Sequence, residues 1–88
     1  MDNKIHTDSY IDTIQTLKSS RFNRKTSEHY GKTYWIAKCK EHEFKILESY
    51  LENKEFIKEI ENNSIIGKTY VFSIIRRGKY LVRANIVE

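Results

Sequence analysis

The stretch that most constrains the fold of this chain is its last 21 residues. Lys68 to Ile75 and Lys79 to Val87 alternate along their length around Arg76-Arg77-Gly78, the period-two pattern of two strands joined by a tight turn. Register decides the loop length, because a one-residue slip exchanges the two faces of a strand. A two-residue Arg77-Gly78 loop sets Thr69, Val71, Ser73 and Ile75 beside Tyr80, Val82, Ala84 and Ile86. A three-residue loop sets Tyr70, Phe72 and Ile74 beside that same group and makes one face wholly apolar. It also puts Gly78 at the left-handed position that closes a type I turn with a bulge. The three-residue loop is therefore predicted. Leu81, Arg83, Asn85 and Val87 then join Thr69, Val71, Ser73 and Ile75 on a mixed second face, which an N-terminal helix is expected to cover in part.

Upstream, Thr7-Asp8-Ser9 reads as a helix start, with Tyr10, Ile11, Ile14 and Leu17 following at helical spacing. This predicts a helix over about 8–20. Arg21 to Gly31 has no sustained period and carries four basic residues, so 21–31 is expected to be a basic loop. Thr33 to Cys39 reads as a strand with Trp35, Ala37 and Cys39 toward the core. From Glu41 to Asn62 the apolar residues form two stripes about 115° apart on a helical projection. Two helices, about 41–52 and 54–62, reconcile them. The expected fold class is α+β in the order α-β-α-(α)-β-β. It is a single layer of about three antiparallel strands, with two or three helices and a C-terminal hairpin. One domain over 1–88 is expected.

Composition narrows the class further. Eleven aromatic rings and twelve isoleucines among 88 residues are too many apolar anchors for a disordered chain. A single cysteine excludes an internal disulfide framework and points to a reducing cytoplasm. No apolar run approaches the length that crosses a bilayer, so no membrane partner is expected. The formal charge of +4 is segregated. Residues 1–40 carry eight Lys/Arg against four acids, residues 41–63 three against seven, and residues 64–88 five against one. If the basic flanks meet in the fold, one surface is cationic, and such a surface suits phosphate.

Little else carries chemistry. Cys39-x-x-His42 has a metal-ligand spacing, with His29 and His6 as distant complements, but structural zinc sites show two close ligand pairs and here there is one. No metal or cofactor is expected, and Cys39 reads as a small buried residue. There is no glycine-rich phosphate loop, HExxH or GxSxG, so no catalytic residue is assigned. The basic and aromatic material is more informative. Arg21, Arg24 and Lys25 in the loop, with Arg76, Arg77, Lys79 and Arg83 at the hairpin, are the expected contact residues for nucleic acid or a protein partner. Tyr30, Tyr34 or Tyr80 can stack a base where exposed.

The segment Thr33 to Glu88 resembles the compact ribonuclease toxins of the RelE/ParE class, in its order of strand, two helices and antiparallel sheet. Arg76, Arg77, Lys79, Tyr80 and Arg83 are the polar residues that the resemblance covers. The chain stops where that family continues into a last strand, and no catalytic role is carried over. The principal expectation is a non-enzymatic module that binds nucleic acid or a nucleoprotein complex through a basic surface. The alternative is a protein-directed inhibitor or adaptor of the phage or mobile-element kind, anti-CRISPR-like in format, with the acidic 41–63 segment mimicking phosphate. Self-pairing into a homodimer across an exposed strand edge is also expected.

Overall fold

The computed structural model describes residues 6–87. It is built on one five-stranded antiparallel sheet in the order β3-β2-β1-β4-β5. The strands are β1 (Thr7–Arg21), β2 (Thr33–Cys39), β3 (Glu43–Ile46), β4 (Thr69–Ile75) and β5 (Leu81–Ile86). A 3-10 turn at Glu48–Tyr50 and one short helix, α1 (Phe56–Glu61), connect β3 to β4. The α+β expectation of three strands with two or three helices is overturned.

The largest correction is at the N-terminus, where the expected helix over 8–20 is the long strand β1. Its first part pairs with β4, from Thr7↔Ile75 to Thr13↔Thr69. Its second part pairs with β2, from Ile14↔Cys39 to Arg21↔Thr33, with a register shift between Ile14 and Thr16. That bulge disguised the period. Asp12 and Ile14 are buried, as two-residue alternation requires, and Leu17 returns to the core side one residue late. The extra residue turns a spacing of two into three and imitates a helix.

The helix expected over 41–52 is also absent. Phe44 and Ile46 alternate inward on β3, and Leu47 and Leu51 are buried around the 3-10 turn. The two stripes that suggested two helices belong to a strand and a helix. The second stripe is real. Phe56 and Ile60 of α1 are buried in the core. The order of strand, two helices and sheet on which the resemblance to RelE/ParE toxins rested is therefore not present.

The strand β2 lies where it was predicted, with Ala37 and Cys39 buried. The hairpin differs in detail. The Ile75 amide donates to the Tyr80 carbonyl, so the loop is four residues, 76–79, and not three. Gly78 and Lys79 both lie in left-handed space, at φ 85° and 55°. Tyr70, Phe72 and Ile74 are buried as expected, but a shift between Ser73 and Ile74 makes Leu81 and Ala84 their buried partners on β5. Tyr80 and Val82 are only half-buried.

The sheet curls until its two ends meet. Lys45 of β3 bridges Tyr80 in parallel, and the Lys45 amide donates to the Lys79 carbonyl. Beyond it, the Glu52 amide donates to Val82, and the Asn53 side-chain amide exchanges bonds with the Ala84 backbone. These contacts satisfy the β5 edge, which is otherwise a row of unpaired amides. Among the described residues no helix covers the mixed outer face of the hairpin. On that face Ile11 lies opposite Val71, and Val71 opposite Asn85. Thr13 faces Thr69, and their hydroxyls are 2.6 Å apart.

Candidate functional site

The outer face of β2 and β3 gathers the cations. Pairing aligns Lys18 with Ile36, Ile36 with Lys45, and Lys45 with Tyr80. One transverse row thus crosses β1, β2, β3 and the start of β5. The Lys45 ammonium lies 5.7 Å from the Tyr80 ring centroid, within cation–π range. Beside this row lies a groove of about 550 Å³ lined by Lys18, Ile36, Lys38, Glu43, Phe44, Lys45, Arg76, Gly78 and Lys79. Five cations thus face one carboxylate. Lys38 lies 3.8 Å from Glu43 and Arg76 is bonded to Asp8. Lys18, Lys45 and Lys79 make no ion pair with the described residues.

Two loops border this face. Residues 22–32, between β1 and β2, are folded back on themselves. The Phe22 amide donates to Lys32, and the Gly31 amide to Phe22. Arg24 and Lys25 are exposed there, as is Tyr30 at 53%. The 76–79 loop between β4 and β5 presents Arg77 and Lys79 on the other side. A string of rings joins the two borders. Tyr34 packs on Phe22 at 4.5 Å, Phe22 on His29 at 5.3 Å, His29 on Tyr50 at 5.8 Å and Tyr50 on Tyr80 at 4.8 Å. Sequence alone placed the lone Tyr50 on a helix. In the structure it links the loops.

The expected contact residues divide. Arg24 and Lys25 lie in one bordering loop, Arg77 and Lys79 in the other, and Arg21 ends β1 exposed. Arg76 borders the groove but is held by a two-pronged bond to Asp8, at 2.8 and 3.2 Å. The same bond draws the Asp8 carboxyl below its ordinary range. Arg83 lies on β5 away from the groove, bonded to Glu52. Lys18, Lys38 and Lys45 were not singled out by the sequence. Their signal was there, since period two from a buried Phe44 and Ile46 puts Lys45 on the outside, but it depends on reading β3 as a strand.

The Cys39-x-x-His42 pair does other work. Asp12, 6% exposed, accepts from the amides of Thr13, Lys40 and Glu41 and contacts His42 Nδ1 at 2.6 Å. Burial opposes its ionisation, but these bonds prevail and hold the carboxyl below its ordinary range. His42 stacks on Tyr10 at 4.0 Å. Burial, with the Asp12 charge, pushes the Cys39 thiol up to about 12, which disfavours the thiolate that metals and electrophiles require. Among the described residues no cluster of three or more potential ligands could hold a metal ion.

Five strands in this order, with β3 touching the start of β5 through one parallel bridge, curl into a partly closed sheet whose strand order is like that of five-stranded Greek-key barrels such as the OB fold. No family model matches the chain, and neither do any curated protein or solved structure. No helix among the described residues is long and apolar enough to cross a membrane.

Proposed function

We propose that this protein is a non-enzymatic nucleic-acid-binding module that takes a single strand across the outer face of β2 and β3, between the 22–32 and 76–79 loops. The observation that carries this reading is the aligned row Lys18–Ile36–Lys45–Tyr80. It offers cations to the phosphates, with an apolar and an aromatic side chain beside them for the bases. Bases stack on such rings without regard to sequence, and lysine contacts to phosphate supply affinity through counterion release. A fold is not a function. The architecture nonetheless favours the reading, because OB barrels hold oligonucleotides or oligosaccharides on the strand 2–3 face and the loops beside it. The acidic 41–63 segment of the alternative reading folds as β3, a 3-10 turn and α1 rather than as two helices, with most of its carboxylates exposed.

Fluorescence anisotropy with labelled oligo-dT and oligo-U of about 12 nucleotides tests this reading. The expected result is saturable binding at micromolar protein, weakening with a log–log salt slope of about −2 to −3, as three or four phosphate contacts on a single strand require. A duplex of the same length should bind more weakly. No binding at tens of micromolar, or binding indifferent to salt, overturns the reading in favour of a protein target.

A further inference from the structure

A second cleft, of about 340 Å³, opens beside the lysine groove and shares Glu43, Arg76 and Lys79 with it. Buried Ile74 and Ile75 form its apolar part, and Tyr10 and His42, stacked on each other, its aromatic part. A cleft of apolar and aromatic side chains with a few converging polar groups has the form of a small-ligand site. Its polar groups divide into those already engaged and those still free. Asp8 and Arg76 hold each other through two bonds. His42 is fixed by buried Asp12, which contacts its Nδ1. An ionised Asp12 only accepts, so the neutral ring carries its proton on Nδ1 and leaves Nε2 as an acceptor. Glu41 makes no ion pair with the described residues, and Glu43 has only Lys38 at 3.8 Å. The free groups are thus three acceptors, Glu41, Glu43 and His42 Nε2, and one donor, Lys79.

Building on the nucleic-acid reading above, we propose that this cleft is a base subsite of the lysine face and takes one unpaired guanine of the bound strand. A phosphate brings only acceptors and a negative charge, so a cleft bordered by free carboxylates excludes the backbone and favours a base. The bases differ in what they offer. The pairing edge of guanine carries two adjacent donors, N1–H and the 2-amino group, which match the two oxygens of one carboxylate. Its O6 and N7 accept, and a lysine suits them. Uracil and thymine set their one N–H between two carbonyls, which a carboxylate repels. Adenine and cytosine carry a single amino group beside a ring acceptor. Guanine alone answers both the carboxylates and Lys79, while Tyr10, Ile74 and Ile75 offer its ring apolar contact.

Anisotropy of the full chain tests this with oligo-U of about 12 nucleotides and the same strand carrying one central guanosine, inosine, adenosine or cytidine. Guanosine should tighten binding about tenfold over the all-uridine strand. Inosine, which lacks the 2-amino group, should lose most of that gain, and adenosine and cytidine should show little of it. The double variant Glu41→Gln, Glu43→Gln, at two exposed positions, should bind oligo-U at least as tightly as wild type and lose the guanosine preference. Misfolding or a simple change of charge does not give that split, since either moves every strand together. Equal affinity for all the strands, a gain that inosine retains, or a preference that survives the double variant overturns the guanine subsite and leaves the lysine face standing. No binding of any strand overturns both.

Discussion

The two halves of the sheet share β1, and their inner faces are alike, both lined by buried apolar side chains such as Ala37, Phe44, Phe72 and Leu81. Their outer faces are not. Beyond the bulge, β1 presents Lys18 beside Ile36 and Lys45; before it, β1 presents Ile11 and Thr13 beside Val71 and Thr69. The core demands nothing of outward positions, so this division is not a product of folding. It leaves one outer face cationic and the other nearly uncharged.

The largest effect should come from the residue that holds the halves together. Asp12 ties β1, beside its bulge, to the turn at Lys40–His42. Asp12→Ala leaves those amides and the His42 ring without their acceptor, at a cost of about 3 kcal/mol in urea unfolding. The pH dependence has a definite sign. The folded carboxyl titrates below the ordinary aspartate range, so its contribution is complete above that range and declines as acid carries the pH through the folded pKa. Wild type should lose stability below about pH 4 more steeply than Asp12→Asn does. Equal acid sensitivity would mean that Asp12 does not join the halves.

Next in size is the lysine face. Replacing Lys18, Lys45 and Lys79 together by alanine should weaken oligonucleotide binding by about 2–3 kcal/mol at low salt and flatten the salt slope by about 2. Melting should move little, since all three are exposed. The same number of charges removed elsewhere should not do this.

Gly78→Val probes how rigidly that face is bordered. A Cβ there would lie 3.1 and 3.2 Å from the Tyr80 ring, on a backbone at φ 85°. The variant should lose about 1–2 kcal/mol of stability and weaken binding by displacing Tyr80 beside Lys45. Full stability would show that the 76–79 loop relaxes freely.

The smallest effects separate the arginines. Arg77→Ala should reduce affinity about three- to tenfold. Arg76→Ala should do less, because Asp8 already engages that guanidinium. Arg83→Ala should leave affinity unchanged, since Arg83 lies on the other half and is paired with Glu52. An Arg83 effect equal to that of Arg77 would erase the distinction between the faces.

What the sequence made legible follows the same division of physics. Strands β2 and β4 could be read because β-branched and aromatic residues recur there at period two, whereas the register shift between Ser73 and Ile74 hid the four-residue loop and the buried partners on β5. The strand β1 could not, because one bulged residue displaced Leu17 into helical spacing with Ile14. The strand β3 could not, because four residues are too few to outweigh Leu47 and Leu51 just beyond. Once β3 was read as helix, Lys45 had no sheet to stand on, and the row it forms with Lys18 and Tyr80 was invisible. The bordering loops were visible because Arg24-Lys25 and Arg76-Arg77 sit in clusters, whereas the face between them is assembled from three strands distant in sequence.

The central claim is that polyanions meet the β2–β3 face, and amide chemical-shift mapping during titration with oligo-dT tests it most directly. The shifts should concentrate on β2, β3, Tyr80 and the 22–32 and 76–79 loops, with Lys18, Ile36 and Lys45 among the largest. Ile11, Val71 and Asn85 should be silent at low protein concentration. Shifts centred on those three residues, or no saturable shifts at all, would contradict the account.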